Sequence, residues 1–200
     1  MDIQEVKKQY EELIRSEDPI ASIFKFKVNL LSSDSDQFLD FHLSILTDRK
    51  KEAVYNIVRS FFDERKDKIK TGEFLYNEYK SGIGDITLKA DVIQILGYLR
   101  SKYAKMVALE NLNADKGDLR YRCIIVLGWV GTAADLVKLN ERLVQDKDPN
   151  LRGYAATAMR QLWFNHPKTK DEILIYIKEA IVNEKSEEAL QGMILTVQDL

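Results

Sequence analysis

The sequence is poor in the residues that build disulfide-rich, loop-rich and all-β proteins. Its 200 residues include one cysteine, three prolines and nine glycines. A single cysteine, Cys123, excludes a disulfide framework and fits a reducing compartment. Because proline and glycine dominate turns, their scarcity argues against a fold made of many short strands and loops.

Long apolar runs and a strong charge of one sign are also missing. The longest apolar run, CIIVLGWVG at 123–131, is far shorter than the roughly 20 residues that span a bilayer. The start, MDIQEVKKQYEELI, lacks the apolar core of a secretory signal. The net charge is −2, from 30 basic and 32 acidic residues, with no basic arm for nucleic acid. We therefore expect a soluble cytoplasmic protein that binds neither membrane nor nucleic acid.

The pattern of a catalytic, metal or nucleotide site is absent too. The histidines, His42 and His166, lie far apart, and no His-x-x-x-His or Cys-x-x-Cys spacing predicts a metal site. Glycines in SGIGD at 81–85 and VGTAAD at 130–135 lack the Lys-Ser/Thr of a phosphate loop. We predict no enzymatic activity, no cofactor and no metal, and we interpret Cys123 as a core residue.

What the sequence does contain is an internal repeat. Three segments align without gaps at offsets of 31 and 32 residues: LKADVIQILGYL at 88–99, LRYRCIIVLGWV at 119–130 and LRGYAATAMRQL at 151–162. The first position is leucine in every copy, the second is basic, and the fifth, ninth and twelfth are apolar. Because steps of four, four and three follow one face of a helix, each segment predicts an amphipathic helix.

Acidic turns precede the three segments. The run DKDPN at 146–150 predicts a turn in which Pro149 enters the next helix. The basic residue at position two is within reach of the preceding aspartates, which predicts a clamp repeated along a stack. Gly97 and Gly128 also match between the first two copies, whereas the third copy has Arg160 there.

An acidic turn, a hydrophobe-Arg pair, a small apolar residue and Leu-Gly together resemble the HEAT repeat. The spacing is most similar to the short HEAT-like repeats of phycobilisome lyases. The resemblance covers roughly residues 85–163. It implies an all-α, armadillo-type fold: a right-handed α-α superhelix (HEAT-like solenoid) of about six helical hairpins. Such a resemblance specifies fold better than function.

The same rhythm extends over the rest of the chain as a single helical-repeat domain, 1–200, with twelve helices. Divergent N-terminal hairpins occupy 1–66, and their last helix is predicted over 50–66. The clearest repeats occupy 70–163, and a C-terminal capping hairpin occupies 168–200. The segment IFKFKV at 23–28 alternates like a strand. We assign it to a helix because no partner strand is evident.

A second face of the repeat helices, at positions four, seven, eight and eleven, mixes aromatic, charged and apolar residues. The HEAT resemblance implies that this face lines a concave, partner-binding surface. Aromatic residues and arginine are favoured interface anchors. Predicted partner-binding residues are Asp91, Tyr98, Arg122, Trp129, Tyr154 and Arg160. The alternative for Tyr98 and Trp129 is packing between neighbouring repeats.

The function that these observations favour is a non-enzymatic protein-binding scaffold, or a regulatory or inhibitory adaptor, whose partner is another protein. One alternative is a HEAT-like DNA glycosylase for alkylated bases, which would need several clustered cations for phosphate. A second is a lyase-like cofactor-handling factor, which rests on the repeat spacing alone.

Overall fold

The computed structural model describes residues 2–49 and 52–200, and this part of the chain is all-helical, without a strand. Its twelve α-helices are α1 (Ile3–Arg15), α2 (Pro19–Leu30), α3 (Asp36–Asp48), α4 (Glu52–Ser60), α5 (Lys68–Gly82), α6 (Ile86–Tyr98), α7 (Ala104–Asn111), α8 (Gly117–Val130), α9 (Leu136–Gln145), α10 (Pro149–Asn165), α11 (Lys170–Asn183) and α12 (Glu187–Asp199). Short 3₁₀ turns occupy Phe61–Glu64, Ala133–Asp135 and Pro167–Thr169. The prediction of an all-α protein is confirmed.

Helix starts follow the sequence signals. Pro149 is the first residue of α10, and the Asp148 carboxylate accepts the Asn150 N–H at 2.9 Å. The Ser186 hydroxyl caps α12 by accepting the Ala189 N–H at 3.4 Å. Each cap provides an acceptor for an N–H group that has no partner inside the helix.

The segment 23–28, whose pattern alternates like a strand, lies within α2. Asp18 caps this helix by accepting the Ile20 N–H at 3.1 Å, and Pro19 fits its first turn. Burial within the segment follows the helical period, because Ile23 and Phe26, three residues apart, are buried, whereas Phe24 and Val28 are exposed. The assignment of this segment to a helix is confirmed.

The packing of the helices divides the chain into two compact units, Met1–Leu88 and Lys89–Leu200, with the division inside α6. In the first unit α1 packs on α2 and α3, α3 on α4 and α5, and α2 on α4. In the second unit α10 packs on α8, α9 and α12, α7 packs on α8, and α9 packs on α11. That the whole chain forms one domain stays a prediction.

The core of the first unit contains a fully buried arginine. Arg65 donates from Nη1 to the Ser33 carbonyl at 2.8 Å and to Asp34 Oδ1 at 3.0 Å. Its Nε lies 3.2 Å from Nδ1 of His42, which is also buried, and His42 Nε2 lies 2.9 Å from the Val58 carbonyl. These bonds satisfy a charge that would be costly to bury alone.

The predicted helix over 50–66 is shorter in the structure. Its first two residues lie outside the described part of the chain, α4 ends at Ser60, and Phe61–Glu64 form a 3₁₀ turn. Arg65 then has extended backbone angles, φ −63° and ψ 141°. The helix ends early because this turn carries the Arg65 side chain into the core.

In the second unit, α6 and α8 approach each other closely where the sequence has glycine, and so do α8 and α10. A methyl group on Gly97 in α6 would lie 2.6 Å from Val126 Cγ2 in α8. On Gly128 in α8 it would lie 2.9 Å from the main chain of Ala158 in α10. The glycine that recurs in the first two repeat copies is therefore a contact point between helices.

Arg120 and Arg152, which are 32 residues apart, share a pattern of bonds, and Arg120 makes one more, from Nη1 to the Asp115 carbonyl at 2.9 Å. Arg120 Nη1 donates to the Ala114 carbonyl at 2.8 Å, and its Nε and Nη2 donate to the Asp146 carboxylate at 2.9 and 3.0 Å. Arg152 Nη1 donates to the Asp146 carbonyl at 2.8 Å, and its Nε and Nη2 donate to the Glu184 carboxylate at 2.6 and 2.8 Å.

This geometry corrects the predicted clamp. Each arginine reaches back to a main-chain carbonyl of the preceding turn and forward to the carboxylate of the next turn. The forward bond forms because the planar guanidinium fork fits both oxygens of one carboxylate. Arg120 and Arg152 thus each connect two successive turns.

Candidate functional site

An unbroken series of side-chain contacts crosses α6, α8 and α10 in the second unit. It begins where the rings of Tyr98 and Trp129 stack, with centroids 4.6 Å apart and planes inclined by 29°. The Tyr98 hydroxyl accepts from Gln94 Nε2 at 3.3 Å. Gln94 Oε1 in turn accepts a short hydrogen bond from Arg122 Nη1.

The series continues from Arg122 to α10. The Arg122 guanidinium lies 5.4 Å from the ring centroid of Tyr121, and the Tyr121 and Tyr154 rings lie 4.5 Å apart at 59°. We call the surface formed by Tyr98, Tyr121, Arg122, Trp129 and Tyr154 the aromatic face. It brings together four of the six residues that the sequence predicted for partner binding.

The aromatic face is open to solvent at two of its rings. Tyr98 is 49% exposed and Tyr154 42% exposed, whereas Tyr121 and Trp129 are half-buried. Tyr98 and Trp129 therefore pack against each other and also contribute to the surface, so the two interpretations of these residues are compatible. Rings that are fixed by neighbours yet accessible lose little conformational entropy on binding.

The close approach of α6 and α8 explains why these rings meet. Tyr98 and Trp129 occupy position eleven of their repeat copies, 31 residues apart. Gly97 lets α8 come near, since a methyl group there would also lie 3.2 Å from Trp129 Cε3. Equivalent positions on adjacent helices then stack directly.

The charge of Arg122 is loosely paired. Its Nε lies 3.6 Å from Asp118 Oδ1, one helical turn earlier, and this buried Nε has no hydrogen-bond partner. The Asp118 side chain is 51% exposed. Burial, together with Tyr154, raises the pKa of Tyr121, and Arg122 partly offsets that rise. The Tyr121 hydroxyl is therefore neutral, and it lies beside a guanidinium whose nearest carboxylate is that of Asp118.

A cavity of about 230 Å³ adjoins Tyr154 and extends the accessible surface from α10 to α12. Its polar lining includes Asn150, Thr157 and Gln191, and Leu195 adds an apolar wall. Glu188 also lines this cavity, so its walls offer amide and hydroxyl groups together with one carboxylate.

Two other predicted residues have different surroundings. Asp91 is fully buried, although it occupies the same repeat position as Arg122. Arg160 is half-buried and pairs with Asp199 near the end of α12. Neither residue belongs to the contact series that links the aromatic face.

Sequence reasoning missed Tyr121. It occupies position three of its repeat copy, where the other copies have Ala90 and Gly153. No pattern at that position marks an aromatic residue as part of a surface. The one indication in the sequence that Tyr121 belongs to this surface was its position next to Arg122.

The residues considered for chemistry have structural roles. Burial raises the pKa of the Cys123 thiol to about 12, so it is held as an inert thiol in the core. His166 Nε2 lies 3.0 Å from the Gly131 carbonyl. Within residues 2–49 and 52–200, no group of three His, Cys, Asp or Glu side chains is placed to hold a metal ion.

Comparison with protein-family models, curated proteins and solved structures finds no match to this chain. None of the helices in the described part of the chain combines the length and the hydropathy of a membrane span.

Proposed function

We propose that this chain is a non-enzymatic protein-binding scaffold or adaptor and that its aromatic face is the binding surface. One observation carries the proposal: the contact series from Trp129 to Tyr154 crosses three helices and leaves two tyrosines half exposed. Tyrosine, tryptophan and arginine are the residues in which binding energy concentrates at protein interfaces.

We further propose that the helices form a HEAT-like, armadillo-type solenoid. The matching bonds of Arg120 and Arg152, 32 residues apart, support this proposal. The glycine contacts between α6 and α8 and between α8 and α10 support it as well. In such an array the aromatic face would belong to the inner row of helices.

The alternatives from the sequence have no comparable support. Phosphate recognition depends on several clustered cations, and the aromatic face has one, Arg122. The interpretation as a cofactor-handling factor continues to rest on repeat spacing alone. Protein binding is therefore the function that the geometry favours.

The test is affinity capture from an extract of the organism that encodes the chain. The bait proteins are wild type, the double variant Tyr98→Ala/Tyr154→Ala, and a control, Phe24→Ala. Phe24 is 74% exposed on α2, so it is an exposed aromatic side chain of the first unit, whereas the aromatic face belongs to the second unit. Circular dichroism and thermal melting verify that all three proteins fold.

We expect wild type and Phe24→Ala to retain the same stoichiometric polypeptide and the double variant to lose it. Two interface tyrosines contribute roughly 2–4 kcal/mol, which weakens binding by about thirtyfold or more. Equal retention by a folded double variant would place the binding surface elsewhere.

A further inference from the structure

We propose that the protein segment bound by the aromatic face inserts an acidic side chain, which pairs with Arg122. This inference rests on the proposed function and adds the chemistry of the partner. Its basis is the charge and hydrogen bonding around Arg122.

The Arg122 guanidinium has N–H groups that are not used in hydrogen bonds. Nη1 donates to the neutral amide of Gln94, Nη2 makes no hydrogen bond within the described part of the chain, and Nε is buried without a hydrogen-bond partner. The Asp118 carboxylate, at 3.6 Å, is beyond hydrogen-bond distance. A guanidinium that is mostly desolvated and weakly paired gains strongly from an incoming carboxylate, because charge-assisted bonds are about twice as strong as neutral ones.

The side chain is shielded but not closed off. The Arg122 side chain is 17% exposed. It is linked through Gln94 to Tyr98 and through Tyr121 to Tyr154, and both of these tyrosines are half exposed. A carboxylate that lies there loses water as the rings are covered, and its attraction to Arg122 grows with that loss. Shielded arginines of this type are typical interface anchors.

An aromatic cluster can instead bind a cation, but Arg122 makes that unfavourable here. Its guanidinium already lies over the Tyr121 ring at 5.4 Å. A second cation would be repelled by Arg122. Glu188, the acid that lines the neighbouring cavity, is hydrogen-bonded to the Ser186 hydroxyl at 2.5 Å. Because Arg122 is the charged side chain of the aromatic face itself, this face attracts a carboxylate and repels a second cation.

The experiment is selection of a displayed random dodecapeptide library on the full-length protein. Peptides that also bind Tyr98→Ala/Tyr154→Ala are removed, so the retained sequences depend on the aromatic face. We expect these sequences to be enriched in Asp and Glu over Lys and Arg, and the same selection on Arg122→Gln to lose that enrichment.

A synthetic copy of the strongest peptide, amidated at its C-terminus, then gives affinities. Changing its conserved Glu to Gln weakens binding to wild type by about tenfold, as expected for a charge-assisted bond, and leaves binding to Arg122→Gln unchanged. Asp118→Asn tightens binding of the acidic peptide severalfold, because it removes the competing carboxylate. This exposed substitution keeps the test decisive if Arg122→Gln does not fold.

The outcomes separate the two proposals. Face-dependent peptides without an acidic bias, or with affinities unaffected by Asp118→Asn and Arg122→Gln, overturn this inference and leave the proposed function standing. A selection that yields no peptide dependent on Tyr98 and Tyr154 overturns both.

Discussion

His42 illustrates how the fold fixes a protonation state. Burial, followed by the positive charge of Arg65, holds the pKa of His42 well below its usual value near 6.5. Its neutral ring stacks on Phe62 with centroids 3.6 Å apart. Nδ1 accepts from Arg65, so the proton lies on Nε2 and is donated to the Val58 carbonyl. This histidine is a hydrogen-bonding core residue.

The neutral state of His42 predicts a pH dependence of stability. Because the folded pKa is lowered, the unfolded chain binds the extra proton, so stability is present above the unfolded pKa and is lost below it. We expect the free energy of unfolding to fall by up to about 1.4 kcal/mol per pH unit below pH ~6.5. Urea unfolding of wild type between pH 7.5 and 5.0 measures this slope.

Substitution separates His42 from other titrating groups. His42→Gln should flatten the slope in that pH range, since glutamine does not titrate. A slope that persists unchanged in His42→Gln would show that another group causes it.

Arg65 predicts a large effect of a single substitution. Arg65→Met removes the donor for Ser33, Asp34 and His42, and leaves a carboxylate without its cation. We expect a loss of about 3–5 kcal/mol in unfolding free energy, as for other broken buried pairs.

The matched control for Arg65 is Arg15→Met, because Arg15 is 79% exposed and pairs with Glu11 within α1. Its expected change is within about 0.5 kcal/mol. Similar losses in both variants would mean that the bonds of Arg65 contribute little net stability.

Charge patterns in the sequence do not reveal Arg65. It stands in the run DERKDK, which has the composition of a solvated surface. Its burial depends on the 3₁₀ turn Phe61–Glu64 and on carbonyls from distant positions, such as Ser33. Contacts between residues so far apart in the chain leave no periodic pattern in a single sequence.

At the scale of helices, most of the fold could be predicted, because short-range patterns control it. Apolar spacing identified α8 and α10, and the Asp148–Pro149 pair identified the start of α10. The same reasoning assigned 23–28 to a helix. The C-terminal ends of helices were less predictable. As α4 shows, the end of a helix depends on how the residues that follow it pack into the core.

The close approach of α8 and α10 predicts that Gly128→Ala destabilises the protein. The added methyl group would lie 2.9 Å from the main chain of Ala158, which cannot move independently of its helix. The expected loss is about 1–3 kcal/mol, typical of overpacking. Urea unfolding at neutral pH gives the value.

Gly117→Ala is the control, since Gly117 is also in α8 and its nearest neighbour would be Asp148 Oδ2 at 3.9 Å. There the substitution should be neutral or stabilising, because alanine favours the helix. An equal loss in both variants would point to a cause other than packing.

The bond between Arg152 and Glu184 predicts acid sensitivity. Arg152 lowers the pKa of Glu184 from 4.5 to about 2, and the N–H groups of Ser186 and Lys185 add to the effect. Because the folded pKa is depressed, this stabilisation is present above pH ~4.5 and is lost as the pH falls towards about 2. Thermal melting between pH 6 and 2.5 follows the loss.

Glu184→Gln should weaken that acid dependence and cost about 1–2 kcal/mol at neutral pH, since Arg152 loses its charged acceptor. The control is Glu187→Gln in the first turn of α12, which leaves both hydrogen bonds between Arg152 and Glu184 in place. Identical profiles for both variants would contradict the role assigned to the Arg152 bond.

For the whole molecule, the division into two units predicts localised effects on dynamics. Contacts lie mainly within Met1–Leu88 and within Lys89–Leu200. Arg65→Met should therefore accelerate amide hydrogen exchange in α1–α4 more than in α8–α10, because protection reports local cooperativity. Exchange measured by mass spectrometry on peptides resolves the two regions. Uniform acceleration would show that the chain opens as one cooperative body.

The aromatic face was partly predictable because repeat positions identify a helix face. That reasoning selected Tyr98, Arg122, Trp129 and Tyr154. It could not separate Arg122 from Asp91, since both occupy position four and only one is buried. Neighbouring elements decide which copies of a position reach solvent, and no single-sequence periodicity contains that information.

Arg120 and Arg152 have a consequence for engineering. Each is bonded to the turn before it and the turn after it, and Asp146 serves both through its carboxylate and its carbonyl. Residues 115–146 thus form a cassette. Near its start, Arg120 bonds to the preceding turn, and at its end Asp146 accepts the equivalent bond from Arg152. If a copy of this cassette were inserted after Asp146, the arginine of the copy that corresponds to Arg120 would bond to the carbonyl of the original Asp146. Arg152 would then bond to the corresponding carbonyl of the copy, and the molecule would be longer by one hairpin.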